Sequence, residues 1–301
     1  MQYAQEQLAR GEDPTNEIIF PGVLSWEEYQ HRRKTWDVQR QCVGLDAEFY
    51  EGPAQYLYPK AVLDACIALA LKRETSLRLR WMGIDPAEGG DRSAWVVGDR
   101  LGILDLVSEL TPNTNSVYFR TMQLMEKWKI PPENVLMDRS PTRAHANRLA
   151  SVGFPIRTLA FGERVAPPIR SGITTIGERR NVHEDQTLYR NRRIQMYWEA
   201  SQVLDPETNA DGFAMPEQFA RMAVAGRKSL YDQLRVIRKE YDRDGRPYLP
   251  PKNRQPGQPE GGRRIKSLVD LIGHSPDEAD ALVLMIHAML HQSKPVRVGA
   301  L

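Results

Sequence analysis

Residues 77–85 read LRLRWMGID, and SAWVVGD (93–99) and GILDLVSEL (102–110) follow it across Gly- and Asp-rich turns. Apolar and polar residues alternate through the first stretch, the period of a strand with two different faces. Three such runs joined by tight turns predict an antiparallel meander. Downstream, NSVYFRTMQLMEKWK (115–129) spaces Val117, Met122, Leu124, Met125 and Trp128 as one helix face and stops at Pro131-Pro132. NVLMDRS (134–140) is a short strand, TRAHANRLASVG (142–153) a helix closed by Gly153, and PIRTLAFGE (155–163) another strand.

The order is therefore βββ-α-β-α-β. A right-handed crossover from the third strand carries the chain to lie parallel beside the first. Strand 134–138 then neighbours strand 81–85, with backbones about 4.8 Å apart. This is an α/β fold of the ribonuclease-H-like kind: three antiparallel strands, then parallel ones, in a mixed sheet flanked by helices.

The remainder reads as helices and connections. An Arg-rich link, GERRNVHEDQT (177–187), precedes a long helix, LYRNRRIQMYWEASQVL (188–204). A second helical region spans 216–241, and the breaker-rich PPKNRQPGQPEGGRR (250–264) reads as a loop. The chain closes on the helical SPDEADALVLMIHAMLHQ (275–292). Before residue 77 the chain reads as a helical arm. SWEEYQHRRKTWDVQRQ starts with Ser25 as N-cap and Glu28 in capping-box position, and a second helix begins after Pro59. The expected division is residues 1–76 as arm or linker and 77–295 as the principal domain.

The chain has 301 residues, 41 basic against 39 acidic, for a net charge of +2. That excludes a histone-like polycation but not a local basic surface. No apolar run reaches the length of a membrane span, and the first residues lack the apolar core of a secretory signal. Cys42 and Cys66 stand in no metal-ligand spacing and read as buried small hydrophobes. A soluble, intracellular protein is expected.

Four acids stand out. Asp85 ends the first strand and Asp138 the fourth, so neighbouring strands would bring both carboxylates to one sheet edge. Asp277 and Asp280 sit one turn apart on the closing helix. Carboxylates brought together repel, which makes divalent cations their natural company. Oxygen-only donors select Mg²⁺ or Mn²⁺, and two such ions can activate water and stabilise the leaving oxygen of a phosphodiester. Each acid also has an everyday explanation. Asp85 precedes Pro86 in turn chemistry, and Asp138 could cap the next helix. Ser275, Pro276 and Glu278 fit a capping box, which accounts for Asp277 and Glu278 as first-turn acids. Asp280 lies beyond that cap in an apolar run, where an acid needs a partner. His274 and His287 read as a loop and a helix-surface histidine, Asp91 as a turn residue and Asp105 as solvent-facing.

In order, GIDPAEGGDRSAWVV, VLMDRSPTRAHANRLASVG, YRNRRIQMYW and HSPDEADALVLM resemble the C-terminal nuclease domain of the large terminase subunit of tailed bacteriophages. The resemblance covers about residues 20–290, with the early segment similar to the junction between ATPase and nuclease. It implies catalytic, metal-binding acids at Asp85, Asp138 and Asp280, and an auxiliary metal-binding position at Asp277. It implies two divalent cations, Mg²⁺ or Mn²⁺, and metal-dependent cutting of concatemeric viral DNA during genome packaging. Double-stranded DNA, a small terminase subunit, the portal and an ATPase half are the implied partners, in the bacterial host cytoplasm. No GxxxxGK[ST] occurs, so no ATP site is expected in this chain, and it reads as a fragment or split product.

Basic residues supply the expected DNA contacts. Arg139 and Arg143 follow the second acid, and Arg179 and Arg180 lie in the Arg-rich link. Lys252 and its neighbours flank the 250–264 loop. Two other readings stay open: a Holliday-junction resolvase or transposase of the same fold, and a non-catalytic docking module of a packaging motor.

Overall fold

A computed structural model of the chain describes residues 10, 26–36, 41, 45, 56–73, 76–87, 91–139, 144–165, 189–222, 224, 226–241, 246–253 and 266–291. Ser25, Cys42, Arg143, Arg179 and Arg180 lie outside the described residues, as do the 177–187 link and most of the 250–264 loop. The chain divides into two units, Met1–Ala54 with Tyr241–Gly245, and Gln55–Glu240 with Arg246–Leu301. In the smaller unit, helix α1 (Trp26–Thr35) is held by the i, i+4 pair Glu28–Arg32 and by Arg33 over the Tyr29 ring.

The larger unit opens with α2 (Lys60–Lys72), which the sequence reading assigns to the arm. Its inward face carries Leu63 and Cys66 into the same apolar cluster as Trp81, so this helix is part of the sheet's core. Then come β1 (Trp81–Asp85), β2 (Arg92–Asp99) and β3 (Gly102–Leu110). Helix α3 (Thr114–Trp128) is capped by the Asn113 side chain, which accepts from the Ser116 N–H. β4 (Val135–Asp138), α4 (Ala144–Ala150) and β5 (Arg157–Leu159) complete the sheet, in the order β3-β2-β1-β4-β5. β1 pairs antiparallel with β2 and parallel with β4, as the crossover rule requires. The expected mixed sheet is the one observed.

Alternation along β1 and β4 separates the two faces. Met82, Ile84, Val135 and Met137 enter the cluster under α3, while Trp81 and Leu136 enter the cluster on the other face. The second face is covered by α5 (Arg192–Leu204) and α9 (Asp277–Leu290). Every residue of α9 from Asp277 to Met289 is buried, because the helix lies between the sheet on one side and α5 on the other. Gly83 makes that contact close. A β-carbon at Gly83 would overlap the Ala281 carbonyl oxygen and the Met285 backbone nitrogen. The helix backbone therefore rests directly on β1.

Between α5 and α9 the helical region expected over 216–241 is not continuous. It breaks into α6 (Glu217–Ala220) and α7 (Leu230–Arg235), with a Val224–Arg227 bridge between them. Gly226 at φ +71° and the Ser229 N-cap account for the break. A further short helix, α8 (Leu268–Ile272), carries the capping box that the sequence suggested for Ser275. Ser267 and Asp270 satisfy each other's backbone N–H there. At α9 the N-cap is Pro276, which offers no side-chain cap, and Ser275 beside it is buried. Asp105 faces Lys127 and the Trp128 indole rather than solvent. No described helix is long and apolar enough to cross a membrane.

Candidate metal and nucleic-acid site

β1 and β4 run in register from Met82–Val135 to Ile84–Met137, so Asp85 and Asp138 stand one step further along, on the face that α9 covers. Both carboxylates are buried at the strand ends. The first turn of α9 adds Asp277 and Asp280, brought over the sheet edge by the close contact at Gly83. All four acids predicted from sequence thus share one site, and Asp85 feels the charge of the other three.

Asp280 is fully buried and is the most heavily served. Its Oδ1 accepts from the Tyr197 hydroxyl at 2.7 Å and from Arg193 Nη2 at 3.4 Å. The Lys252 ammonium lies 2.9 Å from Oδ2 in an ion pair. The same ammonium stands 3.4 Å from Asp85 Oδ2, bridging the two acids. Asp277 is ion-paired with Arg227 at 2.5 Å, and Arg227 also reaches the Ser275 carbonyl at 3.2 Å. The break between α6 and α7 is what carries Arg227 there. Glu278, read as a capping residue, instead accepts from Ser108 and Gln233, each at 2.5 Å.

The electrostatics follow from burial and crowding. Burial pushes the Asp85 carboxyl well above the usual carboxylate range, against the pull of Lys252 and reinforced by Asp280, Asp277 and Asp138. Burial also pushes Asp277 up to about 7, against a hydrogen bond with Ser275 and the charges of Lys252 and Arg227. At Asp280 burial acts upward too, but Lys252, Arg193 and the Tyr197 hydrogen bond outweigh it, and the carboxyl falls below its ordinary value. Burial draws the Lys252 ammonium down, yet Asp280 and Asp85 more than reverse this and hold it above its ordinary value. Burial and charge thus act oppositely on neighbouring carboxyls, holding Asp280 down and pushing Asp85 and Asp277 up.

This donor set fits a hard divalent cation. Its acids offer only carboxylate oxygens, the hard donors such ions take. Asp85, Asp138 and Asp280 are the residues that could hold it. Beside the acids lies a cleft of about 550 Å³ lined by Arg164, Arg190, Arg193, Tyr248 and Lys252.

The chain superposes on the nuclease domain of the large terminase subunit gp2 of bacterial virus Sf6 with a TM-score of 0.53. The match covers 77% of this chain and 99% of that one at 15% sequence identity. The fold is that of a phage terminase nuclease domain. A mutant of the Sf6 domain determined with calcium gives a TM-score of 0.53 at 16% identity, over 77% of this chain and 99% of that one. A mutant determined with manganese and beta-thujaplicinol gives 0.52 at 15%, with the same coverage of both chains. No protein-family model matches the sequence, and none of the curated proteins matches it.

Several residues of the site were misjudged or missed in the sequence. Arg193, one of the basic residues opening the long helix, is buried against Asp280. Tyr197 and Arg227 gave no signal. Lys252 was marked only as flanking a loop. Arg139, expected on DNA, is ion-paired with Glu163, while Arg143, Arg179 and Arg180 fall outside the described residues. His287, read as a helix-surface residue, is buried against Glu199.

Proposed function

We propose that the chain is a metal-dependent DNA endonuclease acting in viral genome packaging. The observation that carries this reading is the convergence of Asp85, Asp138, Asp277 and Asp280 at one sheet edge, with Asp85 under the charge of the other three. Asp85, Asp138 and Asp280 would hold two divalent cations, Mg²⁺ or Mn²⁺, with Asp277 in an auxiliary place. When bound, such ions polarise a phosphodiester and make water a competent nucleophile at neutral pH.

The chain's own residues prepare that chemistry. Tyr197 and Arg193 fix the Asp280 carboxylate in one orientation from the helix behind it. Lys252 offsets the negative charge of Asp85 and Asp280, which eases the crowding of the cluster. Arg164, Arg190 and Lys252 give the adjoining cleft a positive wall, which suits a nucleic-acid backbone entering beside the acids. Arg139, Arg143, Arg179 and Arg180 extend that role as proposed DNA contacts. Small terminase subunit, portal and a separate ATPase half are the proposed partners, with the segment before residue 55 as the junction towards the ATPase.

Incubating the chain with supercoiled and linear plasmid in Mn²⁺, Mg²⁺ or EDTA tests the reading. Wild type should cut only with a divalent cation, and Asp85→Asn and Asp280→Asn should each lower the rate by about 10²-fold or more. Cutting that persists in both variants would overturn the site. A preference for branched over linear substrates would favour a resolvase-type nuclease. No cutting under any metal would favour a docking module, whose binding role should survive Asp85→Asn.

A further inference from the structure

The far end of α9 carries a second cluster that the acid site does not use. His287 and His291 project from successive turns, their ring centroids 4.2 Å apart. Across from them, on α5, Glu199 meets both imidazoles. Its Oε2 lies 2.7 Å from His287 Nδ1 and its Oε1 lies 2.8 Å from His291 Nε2. One donor atom from each residue falls within 4.8 Å of the other two. We propose that Glu199, His287 and His291 bind one divalent cation of the zinc class, at a site separate in place and chemistry from the acid cluster.

Four features favour a cation over a hydrogen-bonded clamp alone. Two imidazoles one turn apart, with a carboxylate opposite, are the donor types and spacing that suit Zn²⁺. The carboxylate is already aimed: Gln195, itself held by Arg192 at 2.8 Å, donates to Glu199 Oε1 at 2.8 Å. Such an outer hydrogen bond is the usual means of orienting a metal ligand. Exposure is graded, with the His287 side chain 3% accessible, Glu199 14% and His291 44%. Three protein ligands with one open side leave a position for water, and the exposed histidine gives the ion a way in. Tetrahedral ligands about 2.0–2.1 Å from a zinc ion stand roughly 3.3 Å apart. The two carboxylate–imidazole separations, 2.7 and 2.8 Å, need to open by only about half an ångström, which side-chain rotation on exposed His291 can supply.

Donor chemistry separates this site from the first. Imidazole nitrogen favours Zn²⁺, Co²⁺ and Ni²⁺, whereas the all-oxygen acid set favours Mg²⁺ and Mn²⁺. The ion would fasten α5 to α9, the two helices that carry Arg193, Tyr197 and Asp280. Binding moves an imidazole proton facing the carboxylate to the other nitrogen of its ring, and releases a proton only where the ring is charged.

The test uses the full chain, stripped by chelator and titrated with Zn²⁺ against a chromophoric competitor, with Co²⁺ absorption as a second readout. Wild type should take up one Zn²⁺ that a large excess of Mg²⁺ does not displace, and Co²⁺ should give the intense visible bands of a four-coordinate site. His291→Ala, at an exposed position, and the isosteric Glu199→Gln should each weaken this uptake by about tenfold or more. Asp85→Asn and Asp280→Asn should retain it, which separates this site from the acid cluster. Affinity unchanged in both His291→Ala and Glu199→Gln would overturn the proposal. So would uptake lost in the acid-cluster variants, or no tight uptake at all, since the cluster would then be a carboxylate–imidazole clamp only.

Discussion

The two ends of α9 are built from the same helix, at similar depth, and yet handle charge in opposite ways. Asp280 and His287 are seven residues, about 10 Å, apart along the axis. At the first end, four carboxylates crowd together and three cationic side chains, Lys252, Arg193 and Arg227, only partly compensate them. At the other end a single carboxylate, Glu199, is matched by two imidazoles and an amide. The contrast shows in protonation. Asp85 and Asp277 are pushed upward by burial, while Glu199, equally subject to burial, is brought down to about 2 by hydrogen bonds from His287 and His291. Burial alone therefore does not set the chemistry of a buried acid; the balance of donors around it does.

The largest predicted effect separates what holds each end in place. The acid end depends on α9 lying directly on β1, and a side chain at Gly83 would drive into the α9 backbone. Gly83→Val should cost about 4 kcal/mol or more and abolish metal-dependent cutting. Gly153→Ala is the control. Its φ is +90° and no atom lies within 4 Å of the added methyl, so only local strain of about 1–2 kcal/mol should result. Denaturant unfolding of the two variants measures the difference. Similar small losses in both would mean that α9 can shift on the sheet, and that Gly83 does not position Asp280.

The next effect tests the compensation at the acid end. Arg227→Leu leaves the buried Asp277 carboxyl without its ion-pair partner. In EDTA this should cost about 3 kcal/mol, and millimolar Mn²⁺ should recover part of the loss by supplying positive charge to the cluster. Thermal melts with and without the ion measure it. A loss that Mn²⁺ does not reduce would place Asp277 outside the metal-binding set and leave Asp85, Asp138 and Asp280 as the ligands.

Much of this arrangement was legible in the sequence because it rests on local patterns. The alternation of LRLRWMGID, the two following strands and the crossover rule place Asp85 beside Asp138 without knowledge of any distant contact. Asp280 announced itself as an acid inside an apolar run. Missing were the residues whose meaning depends on a partner far along the chain. Gly83 in a strand reads as a weak point until the α9 backbone is seen resting on it. Arg193 and Tyr197 are more than 80 positions from Asp280, and Lys252 is 167 from Asp85. Arg227 sits in a stretch with helical periodicity, and only the Gly226 turn reveals that the helix is broken there. Because α9 is buried all round, its pattern has no polar face, so nothing in it marked His287 as directed at Glu199.

The smallest effect sharpens the comparison furthest, because the two ends should give pH slopes of opposite sign in the metal-free chain. Asp277 has a folded value near 7 against an ordinary 3.8, so between these the folded state holds a proton that the unfolded chain has released. Its contribution is present at low pH and is lost as pH rises from about 4 through 7, then stays level. Glu199 is the reverse, with a folded value near 2 against an ordinary 4.5. Its contribution is present above about 4.5 and is lost as pH falls towards 2. Each limb should reach at most about 1.4 kcal/mol per pH unit, or roughly 3 °C in melting temperature. His287, held below its ordinary value by burial, adds a slope that runs against that of Asp277 up to pH 6.5, so the wild-type curve blends the two. Difference curves separate them. In EDTA, the melting temperature of wild type minus Asp277→Asn should fall between about pH 4 and 7, and wild type minus Glu199→Gln should rise between about pH 3 and 4.5. If both differences slope the same way, the two ends of α9 share one electrostatic environment, and the division between an oxygen-rich and an imidazole-rich end has no physical basis.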